Sequence, residues 1–244
     1  MKKLIKVLVI LSGLVFVSAS GYAQFSIKAG GTYPYMIKSD LACAKDFAQQ
    51  QIGVYAGLYE NISFWEKSKE HTDHSMGISI NADFMWNTWN TSYKQEIKEQ
   101  YSLIYTKCNV KYVHYMNIPI TLGFCYKLQN ASHSAGMAID VSAGCNLLYR
   151  LPLKVTYKAG SEDYQYKKQY NLAYGVAAHA GISFLAGDHF SVGVHCHLLN
   201  IMNNSGSESA IKVSSGEEIA HTDFEDKKVS LYPFAFTLAI GVVF

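Results

Sequence analysis

Nine histidines and five cysteines are the residues of this 244-residue chain whose chemistry could reach beyond structure. The odd cysteine count leaves at least one thiol free or bonded outside the chain. No C-x₂-C spacing occurs, and His195-x-His197 stands without a nearby ligand pair in sequence, so neither a metal site nor a bound cofactor is expected. Serine, histidine and aspartate do not assemble by spacing into a nucleophile, a base and an orienting group, so no catalytic residue is assigned. What remains is a dispersed set, Lys28, Asp83, Asn117, Lys127, Asp140, His179 and His195. Whether these residues meet depends on the elements that carry them.

Those elements read as strands. Apolar residues recur at every second position in eight segments, among them Ile78, Ile80, Ala82, Phe84 and Trp86, then Met116 to Phe124, and finally Phe234 to Phe244. The other faces carry Ser, Lys, Gly, Tyr, Asn and Asp, and with them the dispersed set. Eleven glycines, Gly30, Gly57 and Gly181 among them, fall on this polar parity, whereas only Gly31 falls on the apolar one. An eight-stranded barrel has an interior just wide enough for its own side chains, so small residues belong on the inner wall. The polar face is therefore expected inside and the apolar face outside, where only hydrocarbon accepts a continuous band of Phe, Ile, Val and Leu. The fold class is all-β, an eight-stranded antiparallel transmembrane up-and-down β-barrel.

Flanking features agree. Charged residues make up 16% of the chain and the formal net charge is +2, which excludes a disordered chain and a polycationic nucleic-acid binder. Met1, Lys2, Lys3 and Lys6 precede an apolar run from Val7 to Val17 and a small-x-small site at Gly21-Tyr22-Ala23, so residues 1–23 read as a cleaved secretory signal and 24–244 as the barrel domain. Odd-numbered connections are long (near Pro34 to Gln50, Thr88 to Lys111, Tyr149 to Lys168, Asn200 to Lys228), and two even-numbered ones are short. This is the asymmetry of an outer-membrane barrel whose long loops face outward. The connection from Glu60 to Ser75 is too long for the rule. Tyr93 to Tyr101 and Leu41 to Gln50 suit helical turns, and Ser205 to Glu218 reads as a mobile loop tip. Cys43 and Cys108 fall in outer loops where they can pair. Trp86, Trp89, Tyr149 and Tyr174 sit towards strand ends, as interfacial aromatics do.

Phe236, Leu238, Ile240, Val242 and Phe244 resemble the C-terminal signal by which the barrel-assembly machinery recognises its substrates. Tyr115-Met116-Asn117-Ile118-Pro119-Ile120-Thr121-Leu122-Gly123-Phe124 resembles a strand of the PorT-type outer-membrane β-barrel family of Bacteroidota, with Asn117 in place of an acid and Gly123 in place of a lysine. The leader end Ala23-Gln24, the Val141 to Leu148 segment and Ala180-Gly181-Ile182 resemble the family too. The resemblance implies an outer-membrane barrel of about eight strands without assigned catalysis, one branch of which assists a secretion and gliding machinery.

Parity places Lys28, Asp83, Lys127, Asp140, His179 and His195 in the lumen, as an internal salt-bridge network plugging a narrow barrel or as a gated small-ion path. A three-residue loop Ala186-Gly187-Asp188 would set His179 opposite His195, and Phe184 opposite Phe190. The histidine pair then either shares one proton or fills space as neutral rings. Pro119, lacking an N–H, should mark a bulge or weak point. The expected function is a non-catalytic outer-membrane barrel whose long loops contact the envelope, a host or other proteins; the alternatives are a narrow small-solute channel and an envelope enzyme. Expected partners are outer-membrane lipid and the assembly machinery, and no nucleic acid.

Overall fold

A computed structural model describes residues 23–39, 53–88, 91–102, 108–111, 114–226 and 231–244. Residues 1–22 of the expected signal segment, the Leu41 to Gln50 turn, Cys43 and Trp89 lie outside these residues, as does the side chain of Cys108.

Eight strands close into one antiparallel ring in the order β1 (Ala23–Ser39), β13 (Leu231–Val243), β10 (Phe190–Leu199), β9 (Ala173–Ala186), β6 (Ala135–Arg150), β5 (His114–Asn130), β3 (Thr72–Thr88) and β2 (Gly53–Lys69), with β2 pairing back onto β1. Alternation decides which way each side chain points. Phe124, Phe184 and Ile240 stand outward at 67%, 64% and 65% exposure, while Ser142, His179, His195 and Thr237 are buried inside. Without a second layer to cover it, such an apolar wall is stable only against hydrocarbon. Trp86, Tyr149 and Tyr174 are exposed at the long-connection rim, and Phe25, Phe190 and Phe244 ring the short-turn rim. No helix among the described residues is long and apolar enough to cross a membrane.

The short-turn rim explains the connection that defied the loop rule. Strand β2 runs on to Lys69 and β3 begins at Thr72, so only Glu70 and His71 remain as the turn. A register shift between Ser63 and Trp65 lets this hairpin bend, with Phe64 exposed at the bulge. His133, at φ 53° in the β5–β6 turn, ties three hairpins together: its ring nitrogens lie 2.8 Å from Asp73 Oδ2 and 3.1 Å from Asp188 Oδ1. The Asp73 and Asp188 carboxylates raise the His133 pKa above its ordinary value. A raised histidine pKa contributes stability that is complete below its unfolded value near ~6.5 and is lost as pH climbs through the folded value. His133→Ala should therefore lower the thermal midpoint of the barrel at pH 6 and have little effect at pH 9. An equal loss at both pH values would show that the charge is irrelevant.

Pro119 interrupts the ladder without a bulge. Pairing between β3 and β5 lapses between Ala82–Ile120 and Met85–Asn117, yet the register is the same on both sides. The missing N–H removes a bond, and the β5–β6 ladder continues past it at Pro119–Asn146.

The long connections hold strands of their own. A five-stranded sheet runs β12 (Glu218–Asp226), β11 (Asn204–Lys212), β8 (Glu162–Tyr170), β7 (Leu153–Ala159) and β4 (Cys108–Lys111), preceded by a helix α1 (Thr91–Ser102). It grows directly from the barrel, because β7 follows β6 after Leu151 and Pro152, and the bonds Asn200 N–H to Val176 O (2.8 Å) and Met202 N–H to Tyr174 O (2.9 Å) carry the β9–β10 ladder towards it. The segment expected to be a mobile tip, Ser205 to Glu218, is a hairpin closed by Gly216 at φ 70°. Its strands, Asn204–Lys212 and Glu218–Asp226, mix Ser, Glu, Asp and Lys with a few Ala and Ile in no period-two order, so they lack the apolar periodicity that marks barrel strands. The helix covers the expected turn at Tyr93 to Tyr101.

Candidate functional site

The lumen is filled by a polar cluster built on a simple rule of size. Lys28, Gly57 and Asp83 are register partners across β1, β2 and β3, and Asp140, Gly181 and His195 are partners across β6, β9 and β10. Each glycine separates two large inward groups. A Cβ on Gly57 would press on Asp83 Oδ1 and the Tyr55 hydroxyl, and one on Gly181 would press on the His195 ring and Asp140 Oδ1. These glycines give the lumen room for its ionisable groups.

Bonds then link the two rows. The Tyr55 hydroxyl donates to Asp83 Oδ1 at 2.6 Å and lies 2.7 Å from the Tyr59 hydroxyl. Tyr59 in turn reaches His179 Nε2 at 3.4 Å, and His179 Nδ1 lies 2.7 Å from Asp140 Oδ2. His179 and His195 stack with centroids 5.3 Å apart and Nε2 to Nδ1 at 3.1 Å. Lys28 Nζ lies 3.3 Å from both Ser183 Oγ and His195 Nε2, and 3.8 Å from the centre of the Tyr59 ring. Asn81, Thr121 and Ser142 complete the bonding around His179. All of these side chains are buried.

Five of the six residues expected in the lumen network therefore meet: Lys28, Asp83, Asp140, His179 and His195. Lys127 does not join them. It shares their face but sits half-buried at the short-turn mouth, where it donates to Gln24 Oε1 at 3.2 Å. Alternation reports which face a residue takes and says nothing of its height along the axis. Lys127 instead lines a cavity of about 400 Å³ at that mouth, together with Asp73, His74 and His133. A narrower polar space of about 50 Å³ continues inward from Gln24 and Cys125 to Lys28, Tyr59 and Asp140. Towards the other rim Tyr55, Met85, Ala177, Leu199, Ala235 and Ala239 pack into an apolar plug.

The hairpin register differs from expectation by two residues. Ala186 pairs with Phe190 around a loop of Gly187, Asp188 and His189, so His179 faces His197, His195 faces Gly181, and Phe184 faces Val192. Gly187 takes φ 66° as the first loop residue, which keeps Ala186 in the ladder. His179 and His195 touch diagonally instead. The same register brings in His197, which the sequence reading set aside. Barrel closure supplies its missing neighbours, Asp83 from β3 and His179 from β9, with His197 Nδ1 3.7 Å from Asp83 Oδ2 and the two imidazole centroids 4.7 Å apart. The parity that placed His195 inside applied equally to His197. Tyr55 and Tyr59 were legible in the same way, as aromatics on the glycine-bearing parity of β2. Cys125 is half-buried on the lumen side, Cys145 is exposed on the outer wall, and Cys196 is partly exposed there.

No protein-family model matches the chain, and no characterised protein matches it by sequence. Solved structures do. A major outer-membrane protein of Thermus thermophilus aligns with TM-score 0.50 at 10% identity over 91% of this chain and 99% of that one. Ail, the attachment invasion locus protein of Yersinia pestis, aligns with TM-score 0.43 at 11% identity over 91% and 99%. OprG of Pseudomonas aeruginosa aligns with TM-score 0.42 at 12% identity over 91% and 96%. At such identities the likeness concerns the fold alone. The closed ring, its exposed apolar wall and the likeness to the Thermus protein together give this chain the fold of an outer-membrane β-barrel.

Proposed function

We propose that this barrel is a non-catalytic anchor that holds a recognition surface outside the cell, the five-stranded sheet being the part that contacts envelope or host molecules. The observation that carries the reading is that the long connections are built rather than merely tethered. Tyr157 stacks on Tyr164 with centroids 5.7 Å apart, and Tyr101 packs on Tyr157 and Tyr166 at 5.6 Å and 6.2 Å. Lys168 pairs with Glu208 at 2.6 Å and Lys212 with Glu162 at 2.5 Å across adjoining strands. Arg150 lies 4.0 Å from the centre of the Tyr170 ring, which joins the sheet to the end of β6. Solvated loops need none of these contacts, whereas a surface of fixed shape does. The edge strand β12 carries Glu218, Asp223, Glu225 and Asp226, charges that discourage pairing with another sheet. A packed lumen with an apolar plug fits an anchor better than a conduit. The PorT-type assignment belongs with this reading as a narrower proposal resting on the β5 motif.

Impermeant thiol label on whole cells tests the orientation, in a chain whose native cysteines are replaced. A cysteine at Ser214, in the β11–β12 turn, should be labelled, and one at Ser132, in the β5–β6 turn, should be labelled only after the cells are lysed. Reversed labelling would turn the sheet inward and remove the proposal. Purified protein should also be silent in a planar bilayer; open steps of porin size would favour a channel.

A further inference from the structure

Two triads of potential metal ligands share His179 in the lumen: Asp83, His179 and His197, and Asp140, His179 and His195. Each triad offers ligand atoms within 4.8 Å of one another, and all five residues are buried. Their geometry separates them. In the Asp140 triad Asp140 Oδ2 lies 2.7 Å from His179 Nδ1, too close for the two atoms to ligate one ion between them. Two atoms bound to one tetrahedral metal at about 2.0–2.1 Å stand roughly 3.4 Å apart. His197 Nδ1 and Asp83 Oδ2 are 3.7 Å apart, too far for a hydrogen bond and close to the spacing of co-ligands.

We propose that Asp83, His179 and His197 form a binding site for one divalent transition-metal ion of the zinc type, which staples strands β3, β9 and β10 inside the barrel. Neither ring nitrogen of His197 has a hydrogen-bond partner, nor has Asp83 Oδ2, and both residues are fully enclosed. Buried polar atoms without partners are uncommon because desolvation is then uncompensated. One ion answers the need of the Asp83 oxygen and of one His197 nitrogen together. The surroundings already supply the outer contacts of a metal site. The Tyr55 hydroxyl holds the other Asp83 oxygen, and Asp140 lies at Nδ1 of His179, so Nε2 is the ligating nitrogen and exchanges its contacts to His195 Nδ1 (3.1 Å) and the Tyr59 hydroxyl (3.4 Å) for the ion. A carboxylate behind a ligating imidazole fixes its tautomer and raises its basicity. Lys28 is the cation that would oppose an ion, and it lies on the Asp140 side, hydrogen-bonded to His195 and Ser183. Two imidazoles and a carboxylate select a zinc-like ion over calcium or magnesium, which prefer oxygen alone.

Cobalt is the probe. The full chain folded into detergent micelles with Co²⁺ should take up one equivalent and develop the ligand-field absorption of a low-coordinate site, and Zn²⁺ should abolish it. Asp83→Asn and His197→Gln should each weaken uptake by at least about tenfold, while His133→Ala and His221→Ala, which remove histidines from the rim and the outer sheet, should not. Heat-modifiable electrophoresis identifies the folded fraction of each variant. Should either lumen variant fail to fold, X-ray absorption of the zinc-loaded wild type decides, with two imidazoles and one carboxylate oxygen expected at the ion. Absence of stoichiometric bands, as a bridging water alone would give, overturns the proposal. So would bands that survive both lumen substitutions, bands lost with the surface histidines, or sulfur scattering that points to Cys125.

Discussion

Gly30→Val should leave most of the protein unfolded. Gly30 pairs with Ala239 at the seam where the first barrel strand meets the last, and a Cβ there would run into the carbonyl oxygen of Leu238 and the Cα of Ala239. A side chain in the way could rotate aside. A ladder carbonyl can move only by opening the pairing of β1 with β13, the contact that closes the ring. Overpacking ordinarily costs about 1–3 kcal/mol, and the rigidity of this obstacle puts the substitution at or above the upper end. A barrel denied its closing seam exposes two unpaired edges in hydrocarbon, where each orphaned backbone group costs several kcal/mol. The ratio of folded to unfolded protein in heat-modifiable electrophoresis should fall at least about tenfold, which a loss of ~1.4 kcal/mol already produces. Gly31→Val, one residue along and facing outward, should fold normally. Equal behaviour of the two variants would refute the assignment of faces.

Lys28→Met should destabilise the folded barrel by about 3–5 kcal/mol, the usual cost of leaving buried charge uncompensated. Among the described residues, Lys28 is the lysine enclosed with Asp83 and Asp140, and its ammonium is buried with them. Methionine keeps most of the stem against Tyr59 and removes the charge. The carboxylates would then need to take up protons or draw water in through the narrow polar space that reaches Lys28 and Asp140. Lys28→Met combined with Asp140→Asn should recover much of the loss, because the charge balance is restored. Urea midpoints of folded protein in detergent measure both. If the single substitution is harmless, or the pair is additive, the cluster is not electrostatically coupled.

Much of the architecture is legible in the sequence. Period two fixes the face a residue takes, so Ile240 outward and His195 inward followed from counting, and eleven glycines on one parity told inside from outside. The apolar wall needs no knowledge of partners because lipid, a uniform solvent, is its only neighbour. Sheet strands outside the membrane were illegible for the converse reason. The β11–β12 hairpin has no lipid-facing side to fill with apolar residues, so nothing in Ser-Gly-Ser-Glu-Ser-Ala repeats an apolar beat, and the sequence alone suggested a loose tip.

The candidate site divides along the same line. Its composition was determined by sequence: Lys28, Asp83, Asp140, His179 and His195 carry the inner parity, and His197 carries it as plainly. Its geometry was decided by two tertiary quantities that a local pattern does not contain. One is height along the axis, which separates Lys127 at the mouth from Asp140 at the centre, though both face inward. The other is register. A change of two residues in the β9–β10 pairing preserves every face yet replaces His195 by His197 opposite His179. Closure of the ring then carries Asp83 to His197 from strands far apart in sequence, and a contact made by closing a barrel depends on every strand between.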